Sequence, residues 1–219
     1  MNARVVPLLG CLLLGLAAAT ARSAEAKAEA DPAAAFTKQR MEFAKTQEFE
    51  TGATETRNAI RALAGEGKLE EAAKKARAWL AKHPVDASTH MLLAAILLEG
   101  GDYQGYLRHR FVGQGLLASI AASGSGRSQE TAMKVINVDE EYAVLRSLGA
   151  KLKKQALVSG EGGRQYDRMT CDIRGKEVTL YFDVTLWMQT IRKGFNLEPE
   201  EEKKKEDPEK KPATPPPGS

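Results

Sequence analysis

The chain has 219 residues, 42% of them hydrophobic and 28% charged, which suits one globular domain with tails. Its formal net charge of +3 is small, and basic and acidic residues are interspersed, so the composition excludes a nucleic-acid-binding surface.

At the N-terminus, Arg4 precedes an apolar run from Val5 to Ala18 that only Pro7, Gly10 and Gly15 interrupt. Ala19-Thr20-Ala21 then places small residues where a signal peptidase reads. Residues 1–21 are expected to be a secretory signal peptide, leaving a mature chain that starts near Arg22 and is periplasmic or extracellular. A membrane-spanning helix needs about 20 apolar residues; this run is shorter, so no transmembrane segment is expected in the mature chain. Leu8-Leu9-Gly10-Cys11 resembles a bacterial lipobox, but few apolar residues precede Cys11 and the run continues past it. Cleavage is therefore expected over lipidation. Without the leader Cys171 is the lone cysteine, in a strand-like run, and reads as a small buried hydrophobe and not a nucleophile.

Residues 22–35, rich in Ala and Glu, read as a linker, and residues 36–195 as a single domain. Phe36 to Glu48 has the apolar residues of a first helix. Thr54 to Ala64 carries Ala59, Ile60 and Leu63 at core-facing spacing and ends at Gly65-Glu66-Gly67. Gly67-Lys68-Leu69 and Gly101-Asp102-Tyr103 lie 34 residues apart, the tetratricopeptide period, and each turns into a new helix. Ala72 and Pro84 fall where that repeat has its small residue and its stop, but the second copy decays, with Tyr106 in place of the small residue. Helices are thus expected over 69–83, 87–98 and 101–122. Gly113 and Gly115 inside the last one point to close approach of another backbone. His83, His90 and His109 sit in different contexts with no clustered ligands, so no metal site and no cofactor are expected.

Residues 123–195 form the mixed part. The loop from Ser123 to Ser128 carries Ser125 and Arg127 and leads to Glu130; its composition could hold an anion, while the simpler reading is a turn whose serines cap backbone groups. Met133 to Val138 reads as a strand. Asp139 to Leu148 reads as a helix with Asp139 as N-cap and Glu140 and Glu141 solvated near its positive end. Strands follow over 151–158, 165–173 and 177–184, then a closing helix over 187–195. In the middle strand, Asp167 falls in phase with Met169, Cys171 and Ile173 and so needs a polar partner, with Arg127, Arg164 and Tyr142 as candidates. Residues 196–219, charged and then proline-rich, are expected to form a disordered tail.

The string SIAASGSGRSQETAMKVINVDEEYAVL, with YDRMTCDI and EVTLYFDV after it, resembles a bacterial family known as domain of unknown function 4919. The resemblance implies an exported protein with a helical front half and a small sheet, and no catalytic residue. The expected fold is α+β: antiparallel, tetratricopeptide-like helical hairpins packed on a small antiparallel sheet of three or four strands. The expected function is a non-enzymatic interaction or scaffold module of the bacterial envelope, whose partners would be other envelope proteins. The alternative is a small-anion binder or hydrolase using Ser123, Ser125, Arg127, Glu130, Tyr142 and Asp167.

Overall fold

The computed structural model describes residues 32–46 and 52–195. The expected signal peptide, Cys11, most of the linker and the charged tail lie outside the described residues. Helix α1 (Pro32–Thr46) opens with proline at its first position, where a missing N–H costs nothing, and so begins before Phe36. Four helices follow as successive hairpins: α2 (Ala53–Gly65), α3 (Leu69–Lys82), α4 (Ala87–Glu99) and α5 (Tyr103–Ala121). Asp86 and Asp102 cap α4 and α5 by accepting the N–H groups of Thr89 and Gly105.

Two glycines let α5 sit close to its neighbours. A Cβ on Gly113 would lie 2.9 Å from the Met91 side chain of α4, and one on Gly115 would lie 1.9 Å from the Phe36 ring of α1. The paired glycines suggest approach of another backbone; what comes closest is side chain, Met91 and Phe36, and the nearest backbone atom is the Ala87 carbonyl, 3.3 Å from a Cβ on Gly113.

The second half holds β1 (Met133–Lys134), α6 (Val138–Ser147), β2 (Lys151–Ser159), β3 (Gln165–Ile173), β4 (Lys176–Asp183) and α7 (Thr185–Gly194). Strands pair in the order β1-β4-β3-β2; β2, β3 and β4 form an antiparallel meander and β1 joins β4 in parallel. The β3–β4 hairpin turns through Arg174 and Gly175, both at positive φ, the requirement of a tight two-residue turn. The strand expected over 133–138 is only two residues long. Asn137 accepts the Glu140 N–H, so it and not Asp139 caps α6, and the helix starts at Val138.

Three apolar clusters hold these parts together. Ile60, Ala72, Ala76, Leu80, Leu93 and Ile96 join α2, α3 and α4. Phe36, Ala44, Val85 and Leu116 join α1 to α4 and α5 together with Ile136. The sheet cluster sets Met169, Cys171, Leu180 and Phe182 against Ile120 of α5 and Val144 and Leu145 of α6. Cys171 is fully buried there, and burial raises its thiol pKa, as suits a core residue. No helix among the described residues is long and apolar enough to cross a membrane.

Candidate functional site

The Ser/Gly loop satisfies itself. Ser123 Oγ donates to the Ile120 carbonyl at 2.6 Å and accepts the Lys134 N–H at 2.8 Å. Gly126 N–H donates to Thr131 O at 2.7 Å, Gly126 O accepts the Tyr181 N–H at 2.8 Å, and Ser128 N–H reaches Thr131 Oγ1. A Cβ on Gly124 would meet the carbonyls of Thr131 and Ala132 at 2.5 Å, so only glycine allows this turn. These groups secure the loop to β1 and β4. Ser125, Arg127 and Glu130 lie exposed on its outside, where the Ser128 hydroxyl holds the Glu130 carboxyl below its ordinary value.

Asp167 and Tyr142 do come together, away from that loop. Asp167 lies on the helix-covered face of β3, as its phase predicts, and accepts from Gln155 Nε2 of β2 at 2.7 Å. Gln155 Oε1 in turn accepts the Tyr142 hydroxyl at 3.2 Å. Arg164 pairs instead with Asp183 at 3.5 Å, and Arg127 has no ion pair with Asp167. Next to Tyr142, Glu141 is fully buried, and no N–H or O–H donor of its neighbours reaches its carboxyl oxygens, so its hydrogen bond with Asp167 needs one of the two carboxyls protonated. Burial first, then the charge of Asp167 and a side-chain hydrogen bond with it, push the Glu141 pKa up to about 9.

A larger concavity opens on the other side of α6. It has a volume of about 520 Å³, and the N-termini of α2, α4 and α6 converge on it. Phe43, Trp79, His83 and Trp187 supply aromatic walls, and Trp79 and His83 stack with ring centres 3.9 Å apart. Asp86, Asp139 and Glu140 line it as well. Each is tied to an arginine almost wholly removed from solvent. Arg57 bonds Asp86 at 2.9 Å and reaches Asp139 across the helix interface. Asp86 also accepts from Trp79 Nε1, Thr89 N–H and Thr89 Oγ1, at 2.7 to 2.9 Å. Burial raises its pKa, but the Arg57 charge and these donors outweigh that, and the net shift is downward.

Arg40, with no exposed surface, holds Glu140 by two bonds of 2.6 and 2.7 Å and donates to the Lys134 carbonyl at 2.9 Å. Glu140 completes its set by accepting the Ile136 N–H at 2.9 Å. Bidentate guanidinium–carboxylate geometry of this kind fixes orientation as well as charge. The solvated role expected for Glu140 and Glu141 is therefore replaced by burial, because α6 lies between helices on one side and the sheet on the other.

The fold also joins two histidines that are 19 positions apart in the sequence. His90 Nδ1 and His109 Nδ1 are 3.0 Å apart, and His90 Nε2 donates to the Pro84 carbonyl at 3.0 Å. That donation leaves His90 Nδ1 as acceptor and His109 Nδ1 as donor in the neutral pair. Burial lowers both pKa values, and His90, Arg77 and Arg108 lower that of His109 further. No group of three or more metal-ligating His, Cys, Asp or Glu side chains occurs among the described residues.

Sequence reasoning missed Arg40, Arg57 and Trp79. A signal was present for the first, since Phe36, Arg40 and Ala44 recur at four-residue spacing and form the buried stripe of α1. A charge in phase with an apolar stripe calls for a buried partner. For Arg57, three positions before Ile60, the same sign was available.

Fold and clusters together define an α+β domain in which helical hairpins and a small mixed sheet are joined through one buried helix. A family model described as "Domain of unknown function (DUF4919)" matches residues 41–193, and the chain belongs to that family. No curated protein and no solved structure matches the chain.

Proposed function

We propose that the protein is an exported, non-enzymatic recognition module of the bacterial envelope, with tetratricopeptide-like helix pairing, and that the aromatic cleft is the surface it presents to other envelope proteins. The signal-peptide-like N-terminus supports export. The observation that carries the binding role is that Asp86, Asp139 and Glu140 are each engaged by a buried arginine. Carboxylates held in this way make poor general bases and favour a preorganised recognition surface. Aromatic walls add contact area with little entropy to lose on binding. An anion or hydrolase role for the Ser/Gly loop has less support, since its serine, glycine and threonine groups bond one another.

The test is site-specific photo-crosslinking in the native cell. A photoreactive phenylalanine at position 79 or 187 should yield discrete protein adducts, and the same group at Lys151 on β2 should yield none. Adducts from Lys151 and none from the cleft positions would reject the assignment.

A further inference from the structure

The aromatic cleft and the far end of the chain complement each other. Phe43 of α1, Trp79 of α3, His83 just after it and Trp187 of α7 line the cleft, and all four are half-buried, so part of each ring stays open to solvent. Glu55 stands exposed at the rim. Unlike the three other carboxylates there, it has no arginine partner among the described residues, so its charge is available to an incoming group.

A groove walled by aromatic rings suits proline-rich segments. Proline holds φ near its extended value before binding, so little ordering entropy is lost, and its ring packs flat on an aromatic face. The sequence contains a segment of that kind. Four of its nine prolines fall within Pro212-Ala213-Thr214-Pro215-Pro216-Pro217, where Pro212 and Pro215 have the PxxP spacing, and Lys210 and Lys211 come directly before them. Two lysines next to the prolines match a free carboxylate next to the rings.

We propose that residues 210–217 of the same chain dock in the aromatic cleft, prolines on Trp79 and Trp187 and lysines toward Glu55. This deepens the reading of the cleft as a recognition surface and rests on it. The reach is sufficient. Trp187 is in the first turn of α7, and Phe195 follows it by eight residues, about 12 Å of helix. Residues 196–211 then separate Phe195 from the prolines and can span about 50 Å when extended. A flexible chain of that length has its ends roughly 20 Å apart, close to the distance it must return, which is the condition for a high effective concentration at the cleft. A partner that takes the cleft must therefore displace the tail, and the tail sets a threshold for binding.

The chain's two tryptophans both line the cleft, so their indole N–H signals in a ¹⁵N spectrum report on it alone. The experiment uses the mature chain with its tail intact and a nitroxide attached through Ser219→Cys; Cys171 is buried and stays unlabelled. Both indole signals should broaden and should recover when the nitroxide is reduced. Changing Pro212, Pro215, Pro216 and Pro217 to alanine should shift both signals and remove most of the broadening, and Glu55→Lys should weaken it. Because these prolines lie outside the helices and the sheet, the circular dichroism spectrum should stay the same. Tenfold dilution should leave the broadening unchanged. The proposal is overturned if the signals do not broaden, if the alanine variant broadens as the parent does, or if dilution abolishes the effect, which would place the tail on a second copy. Discrete crosslinks from position 79 to another protein, with no broadening by the tail, would reject this proposal and leave the recognition role of the cleft standing.

Discussion

With its carboxyl buried against the sheet and its pKa pushed up to about 9 by burial and by Asp167, Glu141 keeps its proton at neutral pH. The sign of the linked stability follows. The folded state binds this proton more tightly than the unfolded chain, whose value is the ordinary 4.5. The stabilising contribution is therefore complete below pH 4.5 and is lost as pH rises toward about 9, at up to ~1.4 kcal/mol per pH unit for one proton. Glu141→Gln should remove this slope and melt several degrees above the parent at about pH 8. Parallel Tm-against-pH curves for parent and variant would show that Glu141 ionises normally. Asp167 was legible at this scale, because a carboxylate in phase with Met169 and Cys171 must meet the core face. Glu141 was not, because an acid in the first turn of a helix has the same sequence context whether water or a sheet lies above it.

Adjacent positions on a helix point about 100° apart, and α6 makes use of that. Glu140 turns toward the helices and takes Arg40, while Glu141 turns toward the sheet and meets Asp167. The Arg40–Glu140 pair is buried on both sides, so removal of one partner strands a charge. Arg40→Met should cost about 3–5 kcal/mol, whereas Arg40→Met with Glu140→Leu should recover much of that loss. Urea unfolding of the two variants checks this; equal destabilisation of single and double variants would mean that packing, and not the stranded carboxylate, sets the cost. Of the elements themselves, most boundaries were legible within a few residues, because glycine stops and hydrophobic period are local signals. The strand at 133–138 was overextended: Val135, Ile136 and Val138 are β-branched, yet only Met133 and Lys134 find a partner strand, and Asn137 then caps α6.

Across the whole molecule, α6 is the element that both halves hold. Arg57 of α2 reaches Asp139, Arg40 of α1 takes Glu140, and Arg146 donates to Ser88 of α4, while Val144 and Leu145 enter the sheet core. Helical and sheet parts should therefore unfold as one unit. Far-ultraviolet circular dichroism, which follows the helices, and fluorescence of Trp79 and Trp187 should give coincident urea transitions. Two separated transitions would mean that the halves are energetically independent.

What the amino-acid order determines alone is whatever rests on neighbours in the chain: helix lengths, turns, the alternation of the strands, the burial of Cys171 and the family pattern. What only the tertiary structure decided is which distant charges meet. Arg40 and Glu140 are 100 positions apart, Arg57 and Asp139 are 82 apart, and the pairing of His90 with His109 depends on how α4 packs on α5. The energy of a charge depends on its burial and its partner, and neither exists until the helices and the sheet close around α6.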